Sequence, residues 1–229
     1  MSSIESNLQA VRTRIAAAAR EAGREPSSIT LLAVSKSIRA EQVRSAHAAG
    51  QREFGESYVQ EGVGKIVKLD ALSLIWHFIG PIQSNKTRSI AEHFAWVHSV
   101  AREKIALRLA QARPQSLGPL NVCLQVNVSG ETSKSGVAPE ELGALAEAVS
   151  ALPSLRLRGL MAIPEPSEDV GLQRRRFAAV RALLDRLNAS GFELDTLSMG
   201  MSPDLEAAVM EGATVVRVGT AIFGERIRR

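Results

Sequence analysis

The chain has 229 residues, of which 45% are hydrophobic and 23% are charged, and its formal net charge at pH 7 is +4. This length suits one large domain, and no apolar stretch approaches the roughly 20 residues needed to span a bilayer. Basic residues such as those at 174–176 are scattered among acidic ones, and one tyrosine and two tryptophans are few for a base-stacking surface. We therefore expect neither a membrane nor a nucleic-acid partner, and nucleic-acid binding is kept only as a minor alternative.

The cysteine content indicates a reducing compartment. Cys123 is the single cysteine and lies in the apolar run 122–124, which excludes an internal disulfide and indicates a buried thiol. The first twenty residues carry Glu5, Arg12 and Arg14 among alanines and lack the unbroken apolar core of a secretory signal. The expected location is therefore cytoplasmic.

A helix is predicted first, followed by alternating strands and helices. Residues 3–22, which Gly23 ends, carry apolar side chains at helical spacing: Ile4, Leu8, Val11, Ile15 and Ala18. Short apolar runs then occur near residues 29–35, 53–56, 75–80, 96–100, 121–128, 157–163, 194–199 and 214–218. Most segments between them have helical length, and the clearest amphipathic ones span 138–152 and 170–190.

Strand candidates that alternate with helices predict a parallel sheet, because parallel neighbours need crossover connections. The number of these units suits a single (β/α)₈ TIM barrel of the α/β class, at the small end of its size range. An open doubly wound sheet is the alternative, although no Gly-x-Gly-x-x-Gly fingerprint follows the first strand. No linker divides the chain, so residues 1–229 are expected to form one domain, with residues 1–23 as an N-terminal helix.

One amine stands at the carboxyl end of the first predicted strand. Lys36 directly follows the run 29–35, whose β-branched and aliphatic residues favour a buried strand. An amine at the rim of a sheet, partly out of water, loses its proton more easily than a solvated one and can then form a Schiff base with an aldehyde. The alternative is a lysine that simply ends its strand and extends into solvent.

Two segments after the seventh and eighth predicted strands suit a phosphate group. The segment 198–202 precedes a helix predicted near Pro203, whose first turn leaves backbone N–H groups available to an anion. Gly219 and Thr220 add a flexible backbone and a hydroxyl after the last strand. Phosphate sites of TIM barrels frequently follow these two strands, so this end of the barrel is the predicted anion site.

Arg217 and His77 are polar residues in runs that otherwise suit burial. A buried guanidinium needs an acceptor, which could be a carboxylate or a heteroaromatic ring nitrogen. Arginine keeps its proton, so a pyridine nitrogen facing Arg217 would stay unprotonated and the ring would be a weaker electron sink. A lone histidine such as His77 is more typical of a hydrogen-bonded core residue than of a catalyst. The histidines also lack metal-ligand spacing, so no metal is expected.

Ordered motifs extend from about Leu31 to Gly224. They lie at residues 33–36 (Ala-Val-Ser-Lys), 54–61, 76–80 (Trp-His-Phe-Ile-Gly), 125–127, 134–136, 158–161, 198–202 (Ser-Met-Gly-Met-Ser) and 217–220 (Arg-Val-Gly-Thr). Together they strongly resemble the pyridoxal 5′-phosphate (PLP) homeostasis family. The motifs are long and cover nearly the whole chain, so the resemblance is specific.

The resemblance implies a barrel like the N-terminal domain of alanine racemase, with PLP bound as a Schiff base on Lys36. It also implies phosphate contacts from the Ser198 and 219–220 segments, with Arg217 near the pyridine nitrogen. The family usually has asparagine where this chain has Ser57, so one contact near the cofactor is shortened or replaced by water. The complete predicted cofactor-binding set is Lys36, Ser57, His77, Met161, Ser198, Met199, Gly200, Arg217, Gly219 and Thr220.

Proteins of this family are regarded as carriers or regulators of PLP supply, without an established catalytic activity. A PLP racemase needs two bases, and besides Lys36 the chain offers a single tyrosine, Tyr58. The chain ends at Arg229, soon after its eighth predicted strand, without the second domain of a racemase. We expect a monomeric PLP carrier or regulator rather than an enzyme, with PLP-dependent apoenzymes as candidate partners. A weak PLP-dependent amino-acid racemase is the alternative.

Overall fold

Eight parallel strands close into a barrel in the computed structural model, which describes residues 3–128 and 135–224. The strands are β1 (Thr30–Val34), β2 (Glu53–Glu56), β3 (Ile75–Phe78), β4 (Trp96–Val100), β5 (Leu120–Gln125), β6 (Leu155–Met161), β7 (Thr196–Ser198) and β8 (Val215–Val218). Each overlaps the apolar run that predicted it. The predicted barrel is confirmed, and the open doubly wound sheet is excluded.

Helices connect these strands and surround the barrel. The α-helices of the described residues are α1 (Ser3–Glu21), α2 (Ala40–Ala48), α3 (Val59–Lys68), α4 (Thr87–His93), α5 (Glu103–Ala112), α6 (Leu142–Ser150), α7 (Val170–Ala189), α8 (Leu205–Met210) and α9 (Thr220–Phe223). The first confirms the predicted N-terminal helix. Within the described ranges, no helix has the length and apolar character to cross a membrane.

The barrel closes where its first strand pairs with its last. In β1, Leu32 lies opposite Arg217 of β8, and Ala33 lies opposite Val218. Because β1 pairs with β2 on its other side, the sheet has no free edge at this point. Closure also brings the carboxyl end of β1 beside that of β8, so residues from both ends of the chain share one rim.

Side chains alternate between the two faces of each strand, as the pleat requires. In β1, Leu31 and Ala33 belong to the hydrophobic core between barrel and helices, whereas Leu32 and Val34 face the barrel interior. The interior also contains buried polar side chains, namely His77, His98, Ser198 and Arg217. Branched aliphatic residues usually dominate such interiors, so this polar content needs a specific explanation.

The N-terminal helix is attached to the two helices that follow β7 and β8. Arg14 of α1 donates to both carboxylate oxygens of Glu206 in α8, at 2.7 and 2.9 Å. Asn7 donates to the carbonyl oxygen of Ile222 in α9 at 2.9 Å. Helix α1 therefore holds the segments for which the sequence predicted phosphate contacts.

The close approach of β6 to β7 depends on Gly159, which follows the irregular register between β5 and β6. A Cβ at this position would overlap the backbone carbonyl of Thr196. Because backbone cannot yield without separating the strands, we expect Gly159→Ala to lower the free energy of unfolding by about 1–3 kcal/mol. Urea denaturation measures this loss.

Gly143→Ala is the matched control, because a Cβ at this position in α6 meets nothing within 4 Å. Alanine is favoured over glycine inside a helix by roughly 0.5–1 kcal/mol, so this variant should be as stable as the wild type or slightly more stable. Equal stability of the two variants would contradict the packing argument.

Candidate functional site

The carboxyl rim of the barrel brings together residues from four of its strands. Lys36 and Ser57 are half-buried and follow β1 and β2. Ser198 is the last residue of β7, and Thr220 begins α9 directly after β8 and Gly219. The carboxyl ends of parallel strands meet at one rim of a barrel, so these predicted site residues share one side of the molecule.

A buried ion cluster lies behind the end of β1. The Lys65 ammonium of α3, with 8% of its side chain exposed, donates to the Ser35 carbonyl at 2.5 Å. It also donates to carboxylate oxygens of Glu56 at 2.7 Å and Glu61 at 2.6 Å. These bonds match the number of N–H groups of an ammonium, so the buried charge is fully satisfied.

The same cluster holds the backbone on both sides of Lys36. The Ser35 hydroxyl donates to Glu56 Oε1 at 2.6 Å, and the Ser37 backbone N–H donates to Glu61 Oε1 at 2.6 Å. Ser37 has a φ of +61°, a left-handed conformation that is uncommon for residues other than glycine. Lys36 therefore extends from a backbone that is fixed at both of its neighbours.

The Glu56 carboxyl depends on its cation. Burial raises the pKa of Glu56, and the positive charge of Lys65 opposes that rise. Oε2 of Glu56 is buried and has no hydrogen-bond partner among the described residues. Removing the lysine would leave this carboxylate both buried and unpaired, which is the costly way to break an ion pair.

Arg217 lies inside the barrel with 4% of its surface exposed. Its Nη1 donates to the carbonyl oxygen of Ser198 at 2.5 Å and to the Ser198 hydroxyl at 2.8 Å, and its Nη2 donates to the carbonyl of Ala162 at 2.9 Å. Burial lowers the pKa of Arg217 to about 10, which leaves it charged at neutral pH. Its hydrogen-bond acceptors are neutral, and they use three of the five N–H groups of a guanidinium.

The loop after β7 is shaped by Gly200, whose φ is +92°. A Cβ at this position would lie 2.5 Å from the Ala208 Cβ, so glycine allows α8 to approach the strand end. Helices α8 and α9 both begin at the carboxyl rim, at Leu205 and Thr220. Their first backbone N–H groups have no acceptor within their own helix and so suit an anion.

The remaining predicted site residues occupy different environments. His77 of β3 lies beside Gly55 of β2, and Ser57 follows Gly55 by two residues on the same face of its strand. The His77 side chain therefore lies one inward-facing position deeper in the barrel than Ser57. Met161 ends β6 and is buried on the interior side. Met199 belongs to the core between barrel and helices, so its side chain packs away from the interior. Direct contact of each of them with a cofactor stays a prediction.

The cluster of Lys65, Glu56 and Glu61 was absent from the predicted site. The sequence contains a pattern that indicates a buried lysine, because Lys65 lies three residues after Gly62 and four before Leu69, on the buried side of α3. A lysine on the apolar face of a helix needs a buried acid. The chemical type of the partner could be expected from this pattern, whereas its position at the end of β2 required the fold.

The donor set at the rim fits an anionic aldehyde such as PLP. Lys36 supplies an amine, Arg217 supplies a buried donor that Ser198 holds, and two helix N-termini supply backbone N–H groups. The described residues contain no group of three or more His, Cys, Asp or Glu side chains suited to a metal ion. Covalent capture of a carbonyl and binding of an anion are therefore the chemistry that this rim supports.

Lys65→Met should lower the free energy of unfolding by about 3–5 kcal/mol, because it keeps the volume but leaves Glu56 buried without its cation. The loss should become smaller as the pH falls, because a protonated Glu56 has no charge to bury. Urea denaturation at neutral and mildly acidic pH measures both effects.

Lys68→Met is the matched control on the same helix. Lys68 also forms an ion pair, with Glu41 at 2.7 Å, but more than half of each side chain is exposed. Exposed pairs contribute little, so this variant should unfold almost as the wild type does. Equal losses in the two variants would contradict the role of the buried cluster.

Comparison with protein families places the chain among known sequences. Residues 6–227 match the family model described as the alanine racemase N-terminal domain. The pyridoxal phosphate homeostasis protein of Pseudomonas aeruginosa is 65% identical over 226 residues, which cover 99% of this chain and 97% of that protein. The protein of the same name from Escherichia coli K12 is 52% identical over 229 residues, which cover 99% and 98%.

Solved structures share the fold over nearly the whole chain. PipY of Synechococcus elongatus, with PLP bound, has a TM-score of 0.85 at 38% identity, and the match covers 96% of this chain and 100% of that one. Alanine racemase of Corynebacterium glutamicum has a TM-score of 0.72 at 19% identity, over 97% of this chain and 61% of that one. At this lower identity the likeness concerns the fold alone.

Proposed function

The chain belongs to the family of the pyridoxal phosphate homeostasis proteins, and on this basis we propose that it binds PLP at the carboxyl rim and acts as a PLP carrier or regulator. The observation that carries the proposal is the backbone fastened on both sides of Lys36, which presents one amine at a rim shared with Arg217. PLP in the structure of PipY, a similar protein, supports the choice of ligand.

We assign the covalent attachment to Lys36. Its neutral amine adds to the aldehyde carbon, and loss of water leaves a carbon–nitrogen double bond, a Schiff base that hydrolysis reverses. The Ser198 and Gly200 loop and the 219–220 segment would hold the phosphate, with Ser57, His77, Met161 and Met199 completing the surroundings. Bound PLP supplies an electron sink for amino-acid chemistry.

The environment of Arg217 favours holding the cofactor over using it. Its guanidinium stays charged at neutral pH, since its pKa is about 10, and it can donate but not accept a proton at a ring nitrogen. A ring nitrogen facing it would stay unprotonated, which weakens the electron sink. This supports a carrier rather than an enzyme.

The single tyrosine gives separate support. A racemase needs a second base opposite Lys36, and Tyr58 precedes α3 with 58% of its surface exposed. A side chain this exposed lies in water rather than in the enclosed position that such a base needs. We therefore propose that weak racemisation is not the function.

Lys36→Ala is the direct test of the attachment. PLP added to the wild type should give an absorbance band near the visible edge that borohydride reduction removes, with PLP then fixed to the chain. The variant should show only the spectrum of free PLP, because no other amine in residues 3–128 and 135–224 follows a strand end whose backbone is held in this way. Mass spectrometry of the reduced protein locates the modified residue.

Lys104→Ala, at an exposed position on α5, is the control and should behave as the wild type. A borohydride-sensitive band that persists in Lys36→Ala would contradict the attachment. Sustained formation of D-alanine from L-alanine by the pure protein would contradict the carrier role.

We further propose that the chain is a single domain and a cytoplasmic monomer that supplies PLP to apoenzymes. The buried Cys123 thiol, whose pKa burial raises to about 12, is consistent with a reducing compartment. Large exposed hydrophobic residues of the described ranges are few and are spread over several elements, which agrees with a monomer.

Light scattering after size-exclusion chromatography should give a mass near 24.6 kDa, and urea should unfold the chain in one transition. A dimer mass or two separate transitions would contradict the monomer or the single domain respectively.

A further inference from the structure

A row of polar side chains crosses the barrel interior from β2 to β8. Glu53 Oε2 lies 3.0 Å from His77 Nε2, and His77 Nδ1 lies 2.9 Å from His98 Nε2. His98 Nδ1 lies 2.7 Å from Ser198 Oγ, which accepts from Arg217 Nη1 at 2.8 Å. We call these five residues the interior row. It ends at the Ser198–Arg217 pair of the proposed PLP site.

The interior row reaches solvent at its Glu53 end. The other four members are at most 4% exposed, whereas 29% of the Glu53 side chain is exposed. Glu53 begins β2 and lines a cleft of about 460 Å³ at the amino end of the barrel, opposite the rim that carries Lys36. The row therefore links one end of the barrel to the other through buried groups.

The chemistry of Arg217 determines where the protons lie at its end of the row. Arginine only donates, so Ser198 Oγ accepts from it, and the Ser198 hydrogen is available to donate to His98 Nδ1. A neutral His98 then carries its proton on Nε2 and donates to Nδ1 of His77. His77 in turn carries its proton on Nε2, toward the Glu53 carboxylate. In this order, every contact has one donor and one acceptor.

The opposite order fails at Glu53. If His98 donated from Nδ1 to Ser198, its Nε2 would accept from His77, and a lone pair on His77 Nε2 would face the Glu53 carboxylate. Two acceptors 3.0 Å apart repel strongly in a low-dielectric interior. Glu53 and His77 are not aligned for a full hydrogen bond. The negative charge of the Glu53 carboxylate therefore selects the order of protons.

The surroundings keep both imidazoles neutral. Burial lowers the pKa of His77 against an opposing effect of the Glu53 carboxylate, and burial, with smaller effects of His77 and Arg217, lowers the pKa of His98 well below its ordinary value. Trp96 stacks on His77 with 5.4 Å between ring centroids, and the Arg158 guanidinium lies 4.8 Å from the same indole. Further positive charge on His98 would be opposed by Arg217, whereas Arg158 is paired with Asp195 at 2.6 Å.

We propose that Glu53, His77 and His98 are positioning residues for PLP binding, which act through Ser198 on Arg217. The row directs the Ser198 hydrogen toward His98, so the serine oxygen remains an acceptor and holds the guanidinium in one orientation. The inference rests on the proposed function, because PLP is the ligand that Arg217 would meet. The order of protons within the row does not depend on PLP.

The order of protons is tested in the protein without PLP. Nitrogen-15 NMR of the side chains should show His77 and His98 neutral at about pH 7.5, each with its proton on Nε2. Glu53→Gln removes the selecting charge and should change the ring-nitrogen shifts of both, including His98, which Glu53 does not touch. A proton on His98 Nδ1 in the wild type, a charged ring, or no response of His98 would overturn the proposal.

The positioning role is tested by PLP affinity and by the absorbance band of bound PLP. His98→Leu removes the acceptor of the Ser198 hydrogen and should weaken binding about tenfold and shift the band. His98→Asn can place an oxygen where Nδ1 stood, and should stay within about threefold of the wild type. His93→Leu removes a histidine of α4 that bonds the Ser89 carbonyl, outside the barrel interior, and should change neither readout.

The outcomes separate this inference from the proposed function. Unchanged affinity and band in His98→Leu would overturn the positioning role and leave PLP binding intact. Equal losses in His98→Leu and His98→Asn would indicate packing alone and would also overturn it. If the wild type bound no PLP, the proposed function and the positioning role would both be wrong, and the NMR measurement would still decide the order of protons.

Discussion

The site depends on the closure of the barrel between β1 and β8. Without this pairing, Lys36 and Arg217 would stand at opposite edges of an open sheet. With it, Leu32 and Arg217 are directly opposite each other, and the rim beyond them contains the end of β1 and the start of α9. The amine and the segments proposed to bind the phosphate can serve one ligand because hydrogen bonding between β1 and β8 has removed the sheet edges.

Among the described residues, Lys65 and Arg217 are cations buried near this rim, and they are satisfied in different ways. Lys65 donates to two carboxylates, so its charge is neutralised where it lies. Arg217 donates to a hydroxyl and to carbonyl oxygens, so its charge is solvated but not cancelled by a hydrogen-bonded acid. The first arrangement stabilises a backbone, whereas the second maintains a positive field inside the barrel that an electron-rich ligand can meet.

The sequence predicted the barrel well because the determining signals are local. Short β-branched runs separated by amphipathic segments leave few alternatives, and every strand appears within a few residues of its run. Lys36 and Ser198 could be selected in the same way, as polar residues at the ends of apolar runs, and Arg217 as a charged residue inside one. The acids around Lys65 and the contact of His77 with His98 could not, because they depend on which strands and helices become neighbours. The same limit applies to Met199, whose side chain follows the outward face of the pleat.

The proposed carrier has to release its cofactor, and the rim separates the amine proposed to bind it from the groups that hold the structure. The cluster of Lys65, Glu56 and Glu61 acts on Ser35 and Ser37, the backbone neighbours of Lys36. Lys36 itself is half-buried, whereas Lys65 is almost fully buried. Water can therefore approach the lysine at the rim, and the proposed Schiff base there could be hydrolysed without disturbing the ion cluster. An enzyme gains by excluding water from such a bond, so this exposure agrees with storage and transfer better than with turnover.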